Sequence, residues 1–200
     1  MFSGIVEATG TLAEAKRVAD GLRIRIRTDL TTELTVGDSL CVNGVCLTAI
    51  LLEAGEVHAD VGPETARITT LGAMGRDQRV NLERAVPLGG RLGGHLVLGH
   101  VDGVGTIEQV RPDAGSRWLT VSFPAELARY FIRKGSVAVD GVSLTVAGLG
   151  ATRFDVQIVP FTWKATTLGD LKVGDRVNLE CDMIGKYVVR TMELSDSSTQ

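Results

Sequence analysis

The sequence predicts a mainly β protein assembled from two tandem copies of one unit, and three observations carry that prediction. SLCVNGVCLT at 39–48 is repeated as SVAVDGVSLT at 136–145, with six of ten positions identical at a constant displacement of 97 residues. LRIRIR at 22–27 alternates apolar and charged residues with the period of two that marks a strand with one wet face. Glycine supplies 24 of 200 residues and aromatics only 4%, a balance that suits short segments joined by tight turns.

At the start of each copy, Gly4, Val6, Gly10 and Thr11 lie over Gly99, Val101, Gly105 and Thr106 at a displacement of 95, so a two-residue indel separates them from the part displaced by 97. The strand at 22–27 is followed by Asn43-Gly44, a dipeptide suited to the centre of a two-residue hairpin because both residues tolerate positive φ; Asp140-Gly141 is its counterpart. Prolines open short helical turns at 63–71 and 160–168, where Pro63, Thr65 and Thr69-Thr70-Leu71-Gly72 match Pro160, Thr162 and Thr166-Thr167-Leu168-Gly169. Another helical piece is predicted at 124–131. Arg79-Val80-Asn81-Leu82-Glu83 and Arg176-Val177-Asn178-Leu179-Glu180 close the two copies. Between them Pro87, Gly89, Gly90, Gly93 and Gly94 cluster, which divides the chain into domains at 1–90 and 91–182. Ile184, Tyr187, Val188 and Met192 predict a C-terminal helix over 183–194 with a face suited to another surface, and residues 195–200 are expected to fray.

Hydrophobic residues at 44% and charged residues at 22% are those of a soluble globular chain with a real core. A net charge of -3, a pI near 5.6 and the lack of any long Lys/Arg run argue against nucleic acid and anionic membranes, and leave small neutral or anionic ligands. The run Ala49-Ile50-Leu51-Leu52 is too short to span a bilayer, and the N-terminus lacks a signal-peptide pattern, so a cytoplasmic protein is expected. Cys41, Cys46 and Cys181 are odd in number and lack CxxC spacing, which fits reduced thiols better than a disulfide framework or a zinc knuckle.

The hairpin makes a geometric prediction. A two-residue turn at 43–44 sets Val42 against Val45, Cys41 against Cys46, Leu40 against Leu47 and Ser39 against Thr48, and cross-strand partners share a face. Leu40, Val42, Val45 and Leu47 then point to the core, leaving a strip of Ser39, Cys41, Cys46 and Thr48. The second copy repeats it with Ser136, Ala138, Ser143 and Thr145 against Val137, Val139, Val142 and Leu144. Such strips are ordinarily just solvent-facing. Here neither carries a charged residue and both keep a Ser and a Thr in register, which makes a hydrogen-bonding cradle for a flat polar ligand the competing reading. His95 and His100, five residues apart in GGHLVLGH, have the spacing of neither a helical nor a strand metal site and lack a carboxylate cluster. No metal is expected, and each histidine reads as a hydrogen-bonded structural residue or a proton shuttle. Cys41 and Cys46 could close a cross-strand disulfide under oxidising stress, but unconnected thiols are the expected state.

Met1-Phe2-Ser3-Gly4-Ile5-Val6-Glu7, the pair NGVCLT and DGVSLT, GGHLVLGHVDG at 93–103 and VNLECDMIGKYV at 177–188 together resemble the riboflavin synthase family of the α-subunit type, made of two lumazine-binding repeats, over roughly residues 1–190. The resemblance implies two six-stranded antiparallel Greek-key β-barrels, a C-terminal helix that helps assemble a homotrimer, and no cofactor. It also implies a reaction: two molecules of 6,7-dimethyl-8-ribityllumazine dismutate, one giving a four-carbon unit to the other, to yield riboflavin and 5-amino-6-(ribitylamino)uracil. Duplication acquires a meaning from that chemistry, because two copies of one substrate need two similar cradles. In the family the facing cradles belong to neighbouring subunits, and a lumazine synthase shell is a further partner to consider.

The resemblance carries substrate-binding roles onto Gly4, Ile5, Val6, Cys46, Leu47, Thr48, Asp60, Val61, Gly62, Pro63, Glu64 and Thr65 for a first lumazine site. For a second it carries them onto Gly99, His100, Val101, Lys134, Ser143, Leu144, Thr145, Gln157, Ile158, Val159, Pro160, Phe161 and Thr162. Strand backbone in these segments can pair with a pyrimidinedione edge, and Thr48 and Thr145 can hold a ribityl chain. One lumazine loses a methyl proton and the other is attacked, so the cradles need not match. Cys46 against Ser143 and Asn43 against Asp140 are where they differ. The catalytic candidates are therefore Cys46, Ser143, Asp140 and His100, with Ser39 assisting.

Ser3 keeps the hydroxyl of the family's usual Thr, whereas Leu98, Phe161 and Trp163 depart from the expected pattern around the second site. They keep a rival open, a non-catalytic lumazine or flavin carrier of the same fold. The full set of candidate catalytic residues favours the enzyme. A barrel for single-stranded nucleic acid would want a basic groove with stacking aromatics, and a flavin reductase would want a GxGxxG after a strand; the sequence has neither.

Overall fold

In the computed structural model, which describes residues 1–197, both hairpins pair in the register expected from the sequence: Val42 with Val45 through Ser39 with Thr48, and Val139 with Val142 through Ser136 with Thr145. Asn43 and Gly44 have φ of 46° and 80°, Asp140 and Gly141 of 44° and 77°, the left-handed pair that a two-residue turn needs to match strand twist.

Strands β1 (Ala8–Val18), β2 (Gly21–Arg27), β3 (Ser39–Val42), β4 (Val45–Glu53), β5 (Glu56–Val61) and β6 (Arg79–Arg84) form a closed antiparallel barrel in the order β1-β2-β5-β4-β3-β6. Strands β7 (Gly103–Asp113), β8 (Ser116–Ser122), β9 (Ser136–Val139), β10 (Val142–Leu149), β11 (Arg153–Ile158) and β12 (Arg176–Cys181) close a second in the equivalent order, β7-β8-β11-β10-β9-β12. In each, three hairpin-linked strands stand beside an earlier one reached by a long connection, which is a Greek key. Closure leaves no unpaired sheet edge. The alternation read from the sequence fills the interiors: Ile24 and Ile26 of β2 join Leu40, Val42, Val45 and Leu47 in one core, while Val137, Val139 and Val142 pack in the other with Phe123, Phe131 and Phe154.

The proline-led turns are real but composite. Helix α1 (Pro63–Ile68) stops at Thr69, whose hydroxyl accepts the Leu71 N–H and starts a separate 3-10 turn; α2 (Pro160–Ala165) stops in the same way at Thr166. The piece predicted at 124–131 is a 3-10 helix, Ala125–Tyr130, and its counterpart Asp29–Glu33, capped by Thr28, went unpredicted. Helix α3 (Met183–Ser197) corrects the expected end at 194 and the frayed tail from 195, since regular hydrogen bonding continues through Ser197; residues 198–200 lie outside the described residues. Ile184, Tyr187, Val188 and Met192 are all more than half exposed on it.

Two features lock the barrels together. Asn81 of β6 donates to the Asp140 carbonyl at 2.9 Å, and Asn178 of β12 donates to the Asn43 carbonyl at 2.8 Å, so each repeat grips the other's hairpin turn. Each turn also receives a backbone N–H on its side chain, Asn81 to Asn43 Oδ1 and Asn178 to Asp140 Oδ1. The turn backbones touch as well: a Cβ on Gly44 would lie 2.9 Å from the Gly141 nitrogen. Second, the segments preceding β1 and β7 change places. Phe2 and Val97 pair antiparallel at the joint, the Gly4 carbonyl accepts from Ser143 N in the second barrel, and the Gly99 carbonyl accepts from Cys46 N in the first. Val6 accordingly packs on the second core and Val101 in the first.

Asp140 is buried in this joint, and burial pushes its carboxyl up to about 7. The folded state therefore holds that proton more tightly than the unfolded chain, a contribution that favours the fold at low pH and is lost as pH rises from the ordinary aspartate range through about 7. Asp140→Asn, which copies Asn43, is expected to raise unfolding stability at pH 8 by about 1–3 kcal/mol while leaving pH 4.5 nearly unchanged. Urea unfolding of both proteins at the two pH values measures it, and an equal change at both would contradict the assignment.

Candidate active site

The strips flanking the joint are only partly open. Cys41 and Ala138 are sealed with Phe2 and Val97 in a small apolar cluster against which Cys46 packs, so the expected four-residue strips shorten at that end. Ser39, Cys46, Ser136 and Ser143 are half-buried and Thr48 and Thr145 exposed. Each strip is backed by a glycine from the exchanged segment. A Cβ on Gly99 would lie 2.5 Å from Cys46 Cβ, and one on Gly4 would lie 2.6 Å from Ser143 Cβ; both glycines have positive φ.

This exchange regroups the predicted residues. The first site assembles Cys46, Leu47, Thr48 and Ser39 with Gly99, His100 and Val101, and the second assembles Ser143, Leu144 and Thr145 with Gly4, Ile5 and Val6. The sequence grouping had these segments the other way round, because displacement identifies equivalent positions but not the barrel each one touches. Leu47, Val61 and Ile158 point into the cores, so only their backbone can face a ligand. Asp60 pairs with Arg23 at 2.7 Å, and Glu64 with Arg67 at 2.6 Å. Their equivalents are neutral: Gln157, whose amide donates to Asp113 Oδ2 at 3.2 Å, and Phe161, which is 80% exposed. Gly62 with Pro63, and Val159 with Pro160, lead into α1 and α2, and the Thr65 and Thr162 carbonyls accept the hydroxyls of Thr69 and Thr166 that end those helices. Lys134 is exposed at φ 69°, its N–H on the Val146 carbonyl.

Two catalytic expectations change. Asp140 does not join Ser143: one carboxylate oxygen is held by the Asn178 N–H within the joint, where the carboxylate stands in for its twin's amide. The residue that does join Ser143 is His95, with Nδ1 2.7 Å from Ser143 Oγ. The sequence reading gave the proton relay to His100, which is exposed with its N–H on Glu180. The overlooked signal was Gly93-Gly94 before His95, since a Cβ on Gly94 would lie 2.7 Å from Ser143 Cβ and bar the approach. Burial lowers the His95 pKa and outweighs the opposing pull of Asp182, so a neutral imidazole can accept the Ser143 proton at pH 7. The three cysteines are free thiols, and burial pushes that of Cys41 well up. Among the described residues no three His, Cys, Asp or Glu side chains are grouped to hold a metal ion.

Residues 3–85 and 98–182 each match the family model of the lumazine binding domain. Riboflavin synthase of Mycobacterium tuberculosis is 47% identical over 197 residues, covering 96% of this chain and 98% of that protein. The chain belongs to the riboflavin synthase family. The family member from Bacillus subtilis is 37% identical over 202 residues, with 100% of this chain and 94% of that one covered. Among solved structures, LumP complexed with riboflavin superposes with a TM-score of 0.84 at 24% identity, and LumP complexed with 6,7-dimethyl-8-(1'-D-ribityl) lumazine with 0.82 at 23%, each covering 90% of this chain and 99% of that one. At that identity the likeness is one of fold.

His95 is expected to titrate below the ordinary histidine value of 6.5 in a pH series of histidine NMR spectra. A midpoint above 6.5 would contradict the lowering that burial imposes on this imidazole.

Proposed function

We propose that this chain is a riboflavin synthase, converting two molecules of 6,7-dimethyl-8-ribityllumazine into riboflavin and 5-amino-6-(ribitylamino)uracil by transfer of a four-carbon unit. The observation that carries the reading is the pair of equivalent strips, each backed by a glycine segment, whose reactive side chains differ: a thiol at Cys46 in one, a hydroxyl bonded to an imidazole at Ser143 and His95 in the other. Two similar cradles suit two copies of one substrate, and unlike side chains suit unlike parts in the reaction.

Thr48 and Ser39 in the first cradle, and Thr145 and Ser136 in the second, supply hydroxyls for ribityl chains. Strand backbone at 60–62 and 157–159 holds the pyrimidinedione edges. Ser143, with its proton accepted by His95, handles a proton at one lumazine, and Cys46 lies at the reacting carbon of the other; His100 exchanges protons with solvent. Holding both rings in a reactive geometry can supply roughly 7–11 kcal/mol of the barrier, from translational and rotational entropy lost in advance and from avoided solvent reorganisation. In one chain the cradles flank the joint, so we assign the facing pair to neighbouring subunits of a homotrimer. The apolar face of α3 with Ile184, Tyr187, Val188 and Met192 supports such an assembly. Three free thiols suit the cytoplasm, where a lumazine synthase shell would be a natural neighbour for passing substrate.

Anaerobic incubation with the lumazine, with chelator and no added cofactor, is expected to give riboflavin and the pyrimidine in equal amounts, each at half the rate of substrate loss. Ser143→Ala and Cys46→Ala should each lower kcat by about 10²-fold or more. Tight binding without product would make the chain a lumazine carrier and direct attention to Leu98, Phe161 and Trp163.

A further inference from the structure

We infer that the two cradles are wired crosswise: Glu83, in the first repeat, positions the second cradle, and Glu180, in the second repeat, positions the first. Both are buried carboxylates, and neither is hydrogen-bonded to a strip side chain of the cradle it serves. Glu83 accepts from Ser3 N at 2.6 Å, Ser3 Oγ at 2.7 Å and Gly4 N at 2.9 Å. Glu180 accepts from Leu98 N at 2.7 Å, Gly99 N at 2.9 Å and His100 N at 3.1 Å. Three donors on a buried carboxylate fix a short segment far more tightly than backbone pairing alone. The segments so held are the exchanged ones, and their next bonds run to Ser143 N and Cys46 N. Each glutamate thus acts on the other repeat's reactive residue through one glycine.

Glutamine in place of either glutamate keeps the size but puts an NH2 against backbone N–H groups, so the segment must shift. The effect belongs to positioning, because neither carboxylate is hydrogen-bonded to a side chain of the strip it serves. This inference uses the cradles assigned above, but half of its test needs no ligand.

The chain provides one reporter per cradle. Cys46 is the only partly exposed cysteine, Cys41 and Cys181 being buried, so its alkylation rate reads the first cradle. Trp118 in β8 and Trp163 in α2 are the two tryptophans of the chain, both in the second barrel, so quenching of their fluorescence by added 6,7-dimethyl-8-ribityllumazine reads the second. Glu180→Gln is expected to raise the Cys46 alkylation rate by about tenfold and leave the tryptophan-detected affinity within about twofold; Glu83→Gln should weaken that affinity by about tenfold and leave alkylation unchanged. Effects confined to each glutamate's own barrel, or equal on both reporters, overturn the crossed wiring. If thermal melts show that the glutamate variants do not fold, Ser3→Ala decides. It removes one hydroxyl from Glu83 where the twin carries Leu98, and must weaken tryptophan-detected binding without altering alkylation; any other pattern refutes the inference. Should the wild type not respond to the lumazine at all, the functional reading fails, and the alkylation arm still decides the wiring at Cys46.

Discussion

The joint is centred on two asparagine side chains. Asn81 and Asn178 each donate to a carbonyl of the opposite hairpin turn, while their own side-chain carbonyls accept the N–H groups of Thr167 and Thr70. One amide group thereby ties β6 to the second repeat's turn and helical region, and its twin does the reverse. These groups are buried, and a buried amide without partners would cost several kcal/mol in transfer terms. The relation of the barrels is thus set by what the two amides can reach. The hairpins then stand close enough for glycine-backed segments to run between them, which places Cys46 and Ser143 on opposite sides of one joint.

Much of this was legible beforehand. The period of two put Ile24, Ile26, Leu40 and Leu47 inside, and the Asn-Gly and Asp-Gly dipeptides fixed hairpin register to the residue, because turn chemistry admits few alternatives. Duplication gave the second barrel from the first. What escaped the reading is what displacement cannot encode. Gly4 and Gly99 occupy equivalent positions whether each lies on its own barrel or its neighbour's, so the exchange leaves no mark in the repeat pattern. Asp140 read as a reactive carboxylate because it differs from Asn43, yet at that turn both side chains perform the same task, accepting one backbone N–H. His95 reads from the sequence as a hydrogen-bonded residue or a proton shuttle, but its partner, 48 residues away, is not legible there.

The divergence between the copies is concentrated where it does least harm to the fold. Asn81 and Asn178, Glu83 and Glu180, and Gly4 and Gly99 are unchanged between repeats, and they carry the joint and its exchanged segments. Asp60 against Gln157 and Glu64 against Phe161 lie outside the cores, and Cys46 against Ser143 is an exchange of two small, half-buried side chains that leaves the glycine contacts behind them in place. A duplicated scaffold can therefore keep one architecture while its two surfaces take on different chemistry.

Residues 87–94, which connect the repeats, are exposed throughout. Since each half of the chain lays its leading segment on the barrel of the other, the halves embrace like clasped hands, held by their own contacts as well as by the covalent link between them.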